Sequence, residues 1–418
     1  MLPANALVSF CARMRILLLT PRPPWPPIDG GRIAMGRLAE GLVHAGLDVE
    51  ILSLNPRKHR AAIAAAAVGM QAIDIDTSRW VVPAWRAVTG EAPFVVGRFV
   101  SNKFREALRA KLGLFKPDIV QIESPFLMPY AEVVREESGA RVVLRSLNVE
   151  FRIWEGLARN ERNPLRRLAL RRVASSLRRY EVRHFDTPDA VVPISDDDAE
   201  AFRGLGCTRP MHVVPCGITL SDPQPSAPEA GSVGFIGSLD FRPNQEAVTW
   251  IVDELWPRVS GRAPEARLSI AGSGPPDWLR RRARGQNIDF LGEVDDARAF
   301  MQRMSVVIAP LFAGGGMRIK VLEAMALAKP VVATTLGAGG IDVENGRDIL
   351  IADDVTTFAD GVVRLLREGD TASRIGDAAL ATVRERYDND RLAKGLVGFY
   401  ESLATDVHGS GVQPSTVR

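Results

Sequence analysis

PLFAGGGMRIKVLEAM, residues 310–325, is the stretch of the chain that is most informative about its fold. The short apolar run Val306–Ala309 before it predicts a strand, and the apolar spacing of Met317–Ala328 predicts a helix after the glycines. A strand, a glycine-rich turn and a helix in this order form half of a parallel β-α-β unit. Since open parallel sheets bind ligands beyond the carboxyl ends of their strands, this turn is also a candidate binding site.

The same alternation extends in both directions from this unit. The predicted strands are Arg15–Thr20, Val49–Leu54, Ile119–Ile122, Val142–Arg145, Ala190–Ile194, Val233–Ile236, Arg267–Ala271, Ile288–Leu291, Val306–Ala309 and Val331–Ala333. The predicted helices include Ile33–Ala45, Met128–Glu137, Phe151–Phe185 with a break near Pro164, Asp196–Leu205, Gln245–Arg258 and Thr356–Glu368. The predicted fold class is therefore α/β, with two Rossmann-like parallel-sheet domains facing across a cleft.

Chain length and composition support a division into two domains. A chain of 418 residues exceeds the size at which one hydrophobic core keeps growing. The segment DPQPSAPEAGS at 222–232 is rich in Pro, Ser and Ala, so we predict a linker over 218–232 between domains at 1–217 and 233–390. A C-terminal helix and a disordered tail are predicted for 391–418.

Charge and cysteine content exclude several classes of protein. The three cysteines form no CxxC, the five histidines form no metal-binding pattern, and no apolar run reaches the roughly 20 residues that span a bilayer. We expect a cytoplasmic protein that uses no metal, and Met14 is an alternative start of translation, directly before the first strand-like run. The net charge is only +3, but residues 1–217 carry 31 Lys and Arg against 23 Asp and Glu.

The region Arg159–Arg183 holds much of this excess, with nine arginines against two glutamates. It could contact anionic lipid at the inner face of the cell membrane or a diphosphate-linked acceptor, or it could be a solvated helix face. Nucleic acid is not an expected partner, because aromatic residues do not alternate with these charges.

Glycine-rich loops follow several of the predicted strands. Gly30 and Gly31 precede a helix after the first strand, where they either admit a phosphate or sugar or form a tight turn. Gly237 follows the first strand of the second half. Gly314, Gly315 and Gly316 are flanked by Arg318 and Lys320, and Glu323 lies about one turn into the helix. Such cations suit a diphosphate and such a carboxylate suits a ribose, although local pairing and solvation are the alternative.

The stretch KVLEAMALAKPVVAT at 320–334 resembles the signature of the retaining GT-B glycosyltransferases of the glycogen-synthase-like and mannosyltransferase-like group, family 4 type. Further similar stretches follow in the order expected for that family. They are VVPISDDDAEAF at 191–202, VVPCGI at 213–218, GFIGSLDFRPNQEAVTWI at 234–251, LSIAGSGP at 268–275 and FLGEVDDARAFMQRMSVVIAPL at 290–311.

The resemblance implies a nucleotide-sugar site in the second domain and an acceptor site in the first. Glu323 would bind the ribose, Arg318 and Lys320 would stabilise the leaving diphosphate, and no cofactor would be needed besides the nucleoside-diphosphate sugar, which is the substrate. The resemblance also places Gly314–Gly316 toward the donor. The remaining candidates are Gly237 and Arg242 toward the donor, where Arg242 is either a substitute for a basic residue of the family or a surface arginine at a helix start, and Gly30, Gly31 and Glu123 toward the acceptor or its phosphate.

Two positions depart from the family pattern. Gly315 stands where many members have a second glutamate, and Leu147 stands where many have a histidine. Asn148, Glu150 or Glu123 could supply the missing polar contact, and of these Asn148 is the candidate catalytic residue.

The predicted function is retaining, metal-independent transfer of a sugar to a polysaccharide, glycolipid or lipid-linked acceptor in cell-surface glycan synthesis. The alternatives are a sugar-nucleotide-binding subunit with impaired catalysis, for which Leu147 is the main argument, and a nucleotide-sugar epimerase on the same fold.

Overall fold

The computed structural model describes residues 13–27, 29–56, 68–77, 93–220, 228–313 and 316–405. Residues 406–418 of the predicted C-terminal helix and tail, the central part of the predicted linker, and Gly314 and Gly315 lie outside these residues. The described chain groups into two compact units, one running to Pro215 and resuming at Asp390, the other covering 216–389. The sequence-based boundaries at 217, 232 and 390 stay predictions.

The first unit is built on a parallel sheet of six strands in the order β3-β2-β1-β4-β5-β6. The strands are β1 Arg15–Thr20, β2 Asp48–Pro56, β3 Gly69–Ile75, β4 Ile119–Ile122, β5 Arg141–Ser146 and β6 Ala190–Pro193. The helices up to Pro215 are α1 Gly30–His44, α2 Phe94–Gly97, α3 Asn102–Phe115, a 3-10 turn at Pro125–Tyr130, α4 Ala131–Glu137, α5 Glu150–Asn160, α6 Pro164–Arg183 and α7 Asp196–Gly204. The predicted break near Pro164 is confirmed.

The second unit repeats this plan with the order β12-β11-β10-β7-β8-β9. The strands are β7 Ser232–Ile236, β8 Arg267–Ala271, β9 Ile288–Gly292, β10 Val306–Ala309, β11 Val331–Ala333 and β12 Leu350–Ile351. The helices are α8 Arg242–Trp250, a π segment at Ile251–Leu255, α9 Trp256–Ser260, α10 Asp277–Arg282, α11 Ala297–Arg303, α12 Ile319–Met325, α13 Val355–Arg367 and α14 Gly369–Arg386. In each unit the first strand lies between the second and the fourth, as in the classical dinucleotide-binding order, so the α/β fold class with two Rossmann-like sheets is confirmed.

Both faces of the first sheet are buried at its centre, which explains why β1 is apolar without a polar alternation. Leu17 and Leu19 of β1 pack on one side and Ile16 and Leu18 on the other. The last helix, α15 Asn389–Thr405, closes the second of these faces, where Tyr400 is fully buried. The C-terminal helix is therefore part of the core of the first unit. None of the described helices is long and apolar enough to cross a membrane.

A buried polar chain links α15 to the carboxyl edge of the first sheet. The Tyr400 hydroxyl donates to Oε1 of Gln121, whose Nε2 donates to Oε1 of Glu123 at 2.5 Å. Nη1 of Arg145 lies 3.0 Å from the other Glu123 oxygen and also donates to the carbonyl of Ala34 in α1 at 3.4 Å. Both charged side chains are essentially inaccessible to solvent. The pairing is required, because either charge alone would be buried at a large cost.

Arg145→Met should lower the free energy of unfolding by about 3–5 kcal/mol, because the carboxylate of Glu123 then stays buried without its charged partner. Chemical denaturation followed by circular dichroism measures this loss. Adding Glu123→Gln removes the stranded charge, so the double variant should be more stable than Arg145→Met alone. Losses that simply add in the double variant would show that the two side chains are not energetically coupled.

Candidate functional site

Two glycine loops meet at the carboxyl edge of the second sheet. The loop after β7 contains Gly237, Ser238 and Leu239, and the loop after β8 contains Gly272 and Ser273. The Leu239 amide donates to the Ser273 carbonyl at 2.7 Å, and the hydroxyl oxygens of Ser238 and Ser273 are 3.4 Å apart. A Cβ on Gly272 would lie 1.8 Å from the Gly237 carbonyl oxygen, so only glycine permits this approach.

The start of α8 holds the first of these loops in place. The side-chain amide of Asn244 donates to the Ser238 carbonyl at 2.8 Å, and that of Gln245 donates to the Leu239 carbonyl at 2.9 Å. The loop conformation is therefore fixed by side chains of the following helix, while Gly237 and Ser238 of the loop are small and Leu239 is buried.

Arg242 lies at the first position of α8, with 86% of its side chain exposed. Its Nε donates to Glu246 at 2.8 Å, one helical turn later. This contact is the local pairing expected of a surface arginine, and the donor-binding role of Arg242 stays a prediction.

Arg318 immediately precedes α12, where it occupies the N-cap position. The side chain is half-buried, and its Nε donates to the Leu336 carbonyl in the loop after β11 at 3.2 Å. Burial lowers the pKa of the Arg318 guanidinium. An arginine remains a cation at neutral pH in spite of such a shift, so it brings positive charge to the edge of the sheet between β10 and β11.

Lys320 and Glu323 lie on the exposed side of α12, whose other side buries Ile319 and Leu322. The Lys320 Nζ is 2.9 Å from Oε2 of Glu323, and the two side chains are 42% and 17% exposed. The local pairing that the sequence allowed as an alternative is thus present. A ligand hydroxyl that binds Glu323 must share this carboxylate with the lysine.

The structure brings the donor-side candidates together along one sheet edge. β7 and β10 are neighbours, so Gly237 and the residues that lead into α12 follow adjacent strands. Gly316 has a φ of +80°, a conformation that glycine adopts without strain, and its backbone is therefore suited to the sharp entry into α12. Glycine loops, two cations and one carboxylate at the point where the strand order reverses form a suitable site for a phosphorylated ligand.

The candidates of the first unit have different surroundings. Gly30 and Gly31 open α1, where Asp29 accepts from the Arg32 amide at 3.1 Å and pairs with Arg22 at 2.9 Å. These contacts build the tight turn that the sequence allowed as an alternative.

Glu123 is only 1% exposed and belongs to the buried chain with Arg145, so its observed contacts are structural. Leu147 and Asn148 are half-buried after β5, and the Asn148 carbonyl accepts from the Ser146 hydroxyl at 2.7 Å. The acceptor-side roles of Glu123 and Asn148 stay predictions.

Sequence reasoning did not single out Glu181, which is buried beside Glu150. Glu181 lies on α6 and is 5% exposed, and its Oε1 accepts from the Glu150 amide at 3.1 Å at the start of α5. Burial, reinforced by the charge of Glu150, raises the pKa of Glu181 to about 8. Burial raises the pKa of Glu150 to about 7, although Arg22 opposes this. Glu181 lies one helical turn after the buried Leu177, and this spacing is the sequence signal that could have indicated that Glu181 is on the buried face of α6.

Metal binding finds no support within the described residues. No cluster of three or more His, Cys, Asp or Glu side chains in that part of the chain is arranged to hold an ion.

Two family models match the chain in the regions of its two units. "Glycosyl transferase 4-like domain" matches residues 29–217, and "Glycosyl transferases group 1" matches residues 230–368. A phosphatidyl-myo-inositol mannosyltransferase of Mycobacterium leprae is 35% identical over 213 residues, which are 48% of this chain and 55% of the relative. A lipopolysaccharide core biosynthesis mannosyltransferase of Rhizobium leguminosarum is 26% identical over 42% of this chain and 51% of its own length. The matches thus span about half the length of these curated relatives.

Solved structures match over nearly the whole chain. Sucrose-phosphate synthase from Thermosynechococcus elongatus has a TM-score of 0.68 at 16% identity, covering 94% of this chain and 100% of that one. The Anabaena protein HepE in complex with UDP has a TM-score of 0.64 at 14% identity, covering 93% of this chain and 100% of that one. At such identities the likeness concerns the fold.

The free energy of unfolding should fall as pH rises from about 5 to about 8. The folded chain holds protons on Glu150 and Glu181 that the unfolded chain releases above about pH 4.5. Each such proton lowers the free energy of unfolding by about 1.4 kcal/mol for every unit by which the pH rises within this range. Glu181→Gln keeps an oxygen for the Glu150 amide and should flatten this dependence. Urea denaturation across that pH range measures both slopes.

Glu200→Gln, at an exposed position of α7, is the control for this prediction. Equal slopes for wild type and Glu181→Gln would refute the assignment.

Proposed function

The chain belongs to the GT-B glycosyltransferases of the family 4 type, and from this premise we propose that it transfers a sugar from a nucleoside-diphosphate donor, with retention of configuration and without a metal ion. The acceptor is a polysaccharide, glycolipid or lipid-linked glycan of cell-surface synthesis. The observation that carries the proposal is the grouping of Gly237, Arg318 and the Lys320–Glu323 pair along the carboxyl edge of one sheet.

Each donor group has a chemical counterpart in this grouping. Glu323 can accept a hydrogen bond from a ribose hydroxyl, because 17% of its side chain is exposed; its Oε2 is itself inaccessible and lies 2.9 Å from the Lys320 Nζ. Lys320 and Arg318 bring positive charge to the diphosphate, and the glycine loops leave room for it. The Leu336 carbonyl holds the guanidinium of Arg318, and the Glu323 carboxylate holds the ammonium of Lys320.

The proposed reaction breaks the bond between the anomeric carbon and the β-phosphate oxygen and forms a bond from that carbon to an acceptor oxygen on the same face. The acceptor proton passes to the leaving diphosphate, so few acidic or basic side chains are needed. The main contribution of the protein is to stabilise the charge that develops on the β-phosphate. A fixed cation such as Arg318 contributes more to this than a mobile one, because it needs no reorganisation.

The names of two relatives support a lipid-linked or glycolipid acceptor and make mannose the first sugar to test. One relative is named for phosphatidyl-myo-inositol and the other for the lipopolysaccharide core. An acceptor of this kind is reached at a membrane surface, so the proposal includes a cytoplasmic location at the inner face of the membrane and contact of Arg159–Arg183 with anionic lipid.

A second candidate function is nucleotide-sugar binding without efficient transfer. Leu147 favours it, because a leucine cannot form the polar contact that the family's histidine provides. Donor binding with neither hydrolysis nor transfer, tested with a panel of lipid-linked and glycan acceptors, would support this candidate over the enzyme.

Glu323→Ala should weaken donor binding about tenfold to a hundredfold while leaving the fold intact, because it removes a charged hydrogen-bond acceptor from a half-buried position. A panel of UDP- and GDP-sugars in thermal-shift and calorimetric titrations measures the affinity, since a ligand that binds the folded state raises its melting temperature. Glu385→Ala, at an exposed site of the same unit, is the matched control. Unchanged affinity for every donor bound by the wild type would refute the ribose assignment.

Arg318→Met should reduce sugar transfer about a hundredfold or more, because a preorganised charge opposite the leaving phosphate is lost. Donor hydrolysis and transfer of a radiolabelled sugar measure this effect. Arg281→Met, at an exposed arginine of the same unit, should be neutral. Equal transfer rates in the two variants would remove Arg318 from the reaction.

A further inference from the structure

The helical hairpin formed by α5 and α6 exposes apolar side chains near its turn. We call residues 153–172 the hairpin tip. Leu157 of α5 is 52% exposed, and Leu165 and Leu168 of α6 are 78% and 48% exposed. Ile153, one turn before Leu157, is 40% exposed. The two helices pack against each other, yet α6 has no buried residue before Ala174. Four apolar side chains are thus exposed within one short stretch of the chain, between Ile153 and Leu168.

Arginines surround these leucines. Between residues 159 and 172 the chain has six arginines and one glutamate, Glu161, a net charge of +5. Five of the six are exposed and Arg167 is half-buried. Within the described residues none of the six guanidinium groups forms an ion pair. This charge is therefore not neutralised by the protein itself.

We infer that the hairpin tip inserts its leucines into the interface of an anionic lipid bilayer while its arginines bind the lipid phosphates. The inference deepens the membrane contact of the proposed function, since it names the inserting segment and its chemistry. Leucines at 165 and 168 share one face of α6, and arginines flank them in sequence. Apolar residues that enter the acyl boundary beside arginines that reach the phosphates are the pattern of an interfacial helix.

Charge complementarity selects the lipid surface over other occupants. A row of unpaired arginines requires a dense array of negative groups, and an anionic leaflet provides one over an extended plane. The exposed leucines occur on both arms of the hairpin, Leu157 on α5 and Leu165 and Leu168 on α6. A helix partner in a groove would instead require one continuous apolar stripe.

The test is sedimentation of the full-length protein with vesicles of phosphatidylcholine, with and without phosphatidylglycerol. Binding should need the anionic lipid and weaken in high salt. Arg171→Gln with Arg172→Gln should lower partitioning about tenfold or more, since each arginine near an anionic surface contributes about fivefold. Leu165→Ser with Leu168→Ser should lower it by a similar factor. In addition, Leu165→Trp should be quenched by brominated lipids.

Matched controls are available in the same chain. Leu114 on α3 is 84% exposed, so Leu114→Ser and Leu114→Trp are the controls for the leucine variants. Arg281→Gln with Arg284→Gln, at two exposed positions of the second unit, is the control for the arginine variants. The inference would be overturned if the control variants weakened binding as much as the tip variants, or if the protein bound neutral vesicles equally well or bound no vesicles at all. Equal quenching of the Leu165→Trp and Leu114→Trp variants by brominated lipids would overturn it as well. Thermal shift with nucleotide sugars on the same variants separates the two proposals, because the donor site lies in the other unit and should respond normally.

Discussion

The requirement that governs both units is that a parallel sheet buried on both faces can present chemistry only at its ends. Ile16 to Leu19 alternate between two hydrophobic clusters, so neither face of β1 is available to solvent. Helices must cover both faces, and polar groups then emerge where the strands stop. In both sheets the strand order reverses beside the first strand of the unit. The loops that follow the two strands at this point lead to helices on opposite faces of the sheet, so a crevice for a ligand opens between them. The donor-side candidates lie there.

Burial explains why similar carboxylates have different roles in this protein. Glu123 directly follows β4 at a comparable sheet edge but is inaccessible and held by Arg145, which also contacts α1, and Glu123 is linked through Gln121 and Tyr400 to the last helix. Glu323 is half-buried on α12 beside Lys320 and keeps contact with solvent. Glu181 is buried without a countercharge at hydrogen-bonding distance, and its pKa rises as a result. The residue type is the same in all three cases, and the surroundings decide its chemistry.

The sequence was informative about the elements with strong apolar patterns and less so about the others. β3 was not predicted, because Gly69–Ile75 is an edge strand with polar residues and little burial. β12 has only two residues, too few for a pattern. The predicted helix at Gln245–Arg258 is interrupted by a π segment at Ile251–Leu255. The predicted helix Met317–Ala328 is shorter, because its end turns toward Ala328, which has a positive φ.

The sequence by itself determined the α/β class, the repeated strand-loop-helix order and the family resemblance, because these depend on local apolar periodicity and on motifs in continuous segments. Only the tertiary structure decided which polar residues are paired. Arg145 is paired with Glu123, the Glu150 amide donates to Glu181, and Tyr400 of the last helix returns to a sheet that begins at Arg15. Such partners lie on different elements or depend on burial, and the free energy of a buried charge depends on its three-dimensional surroundings, which no local pattern encodes.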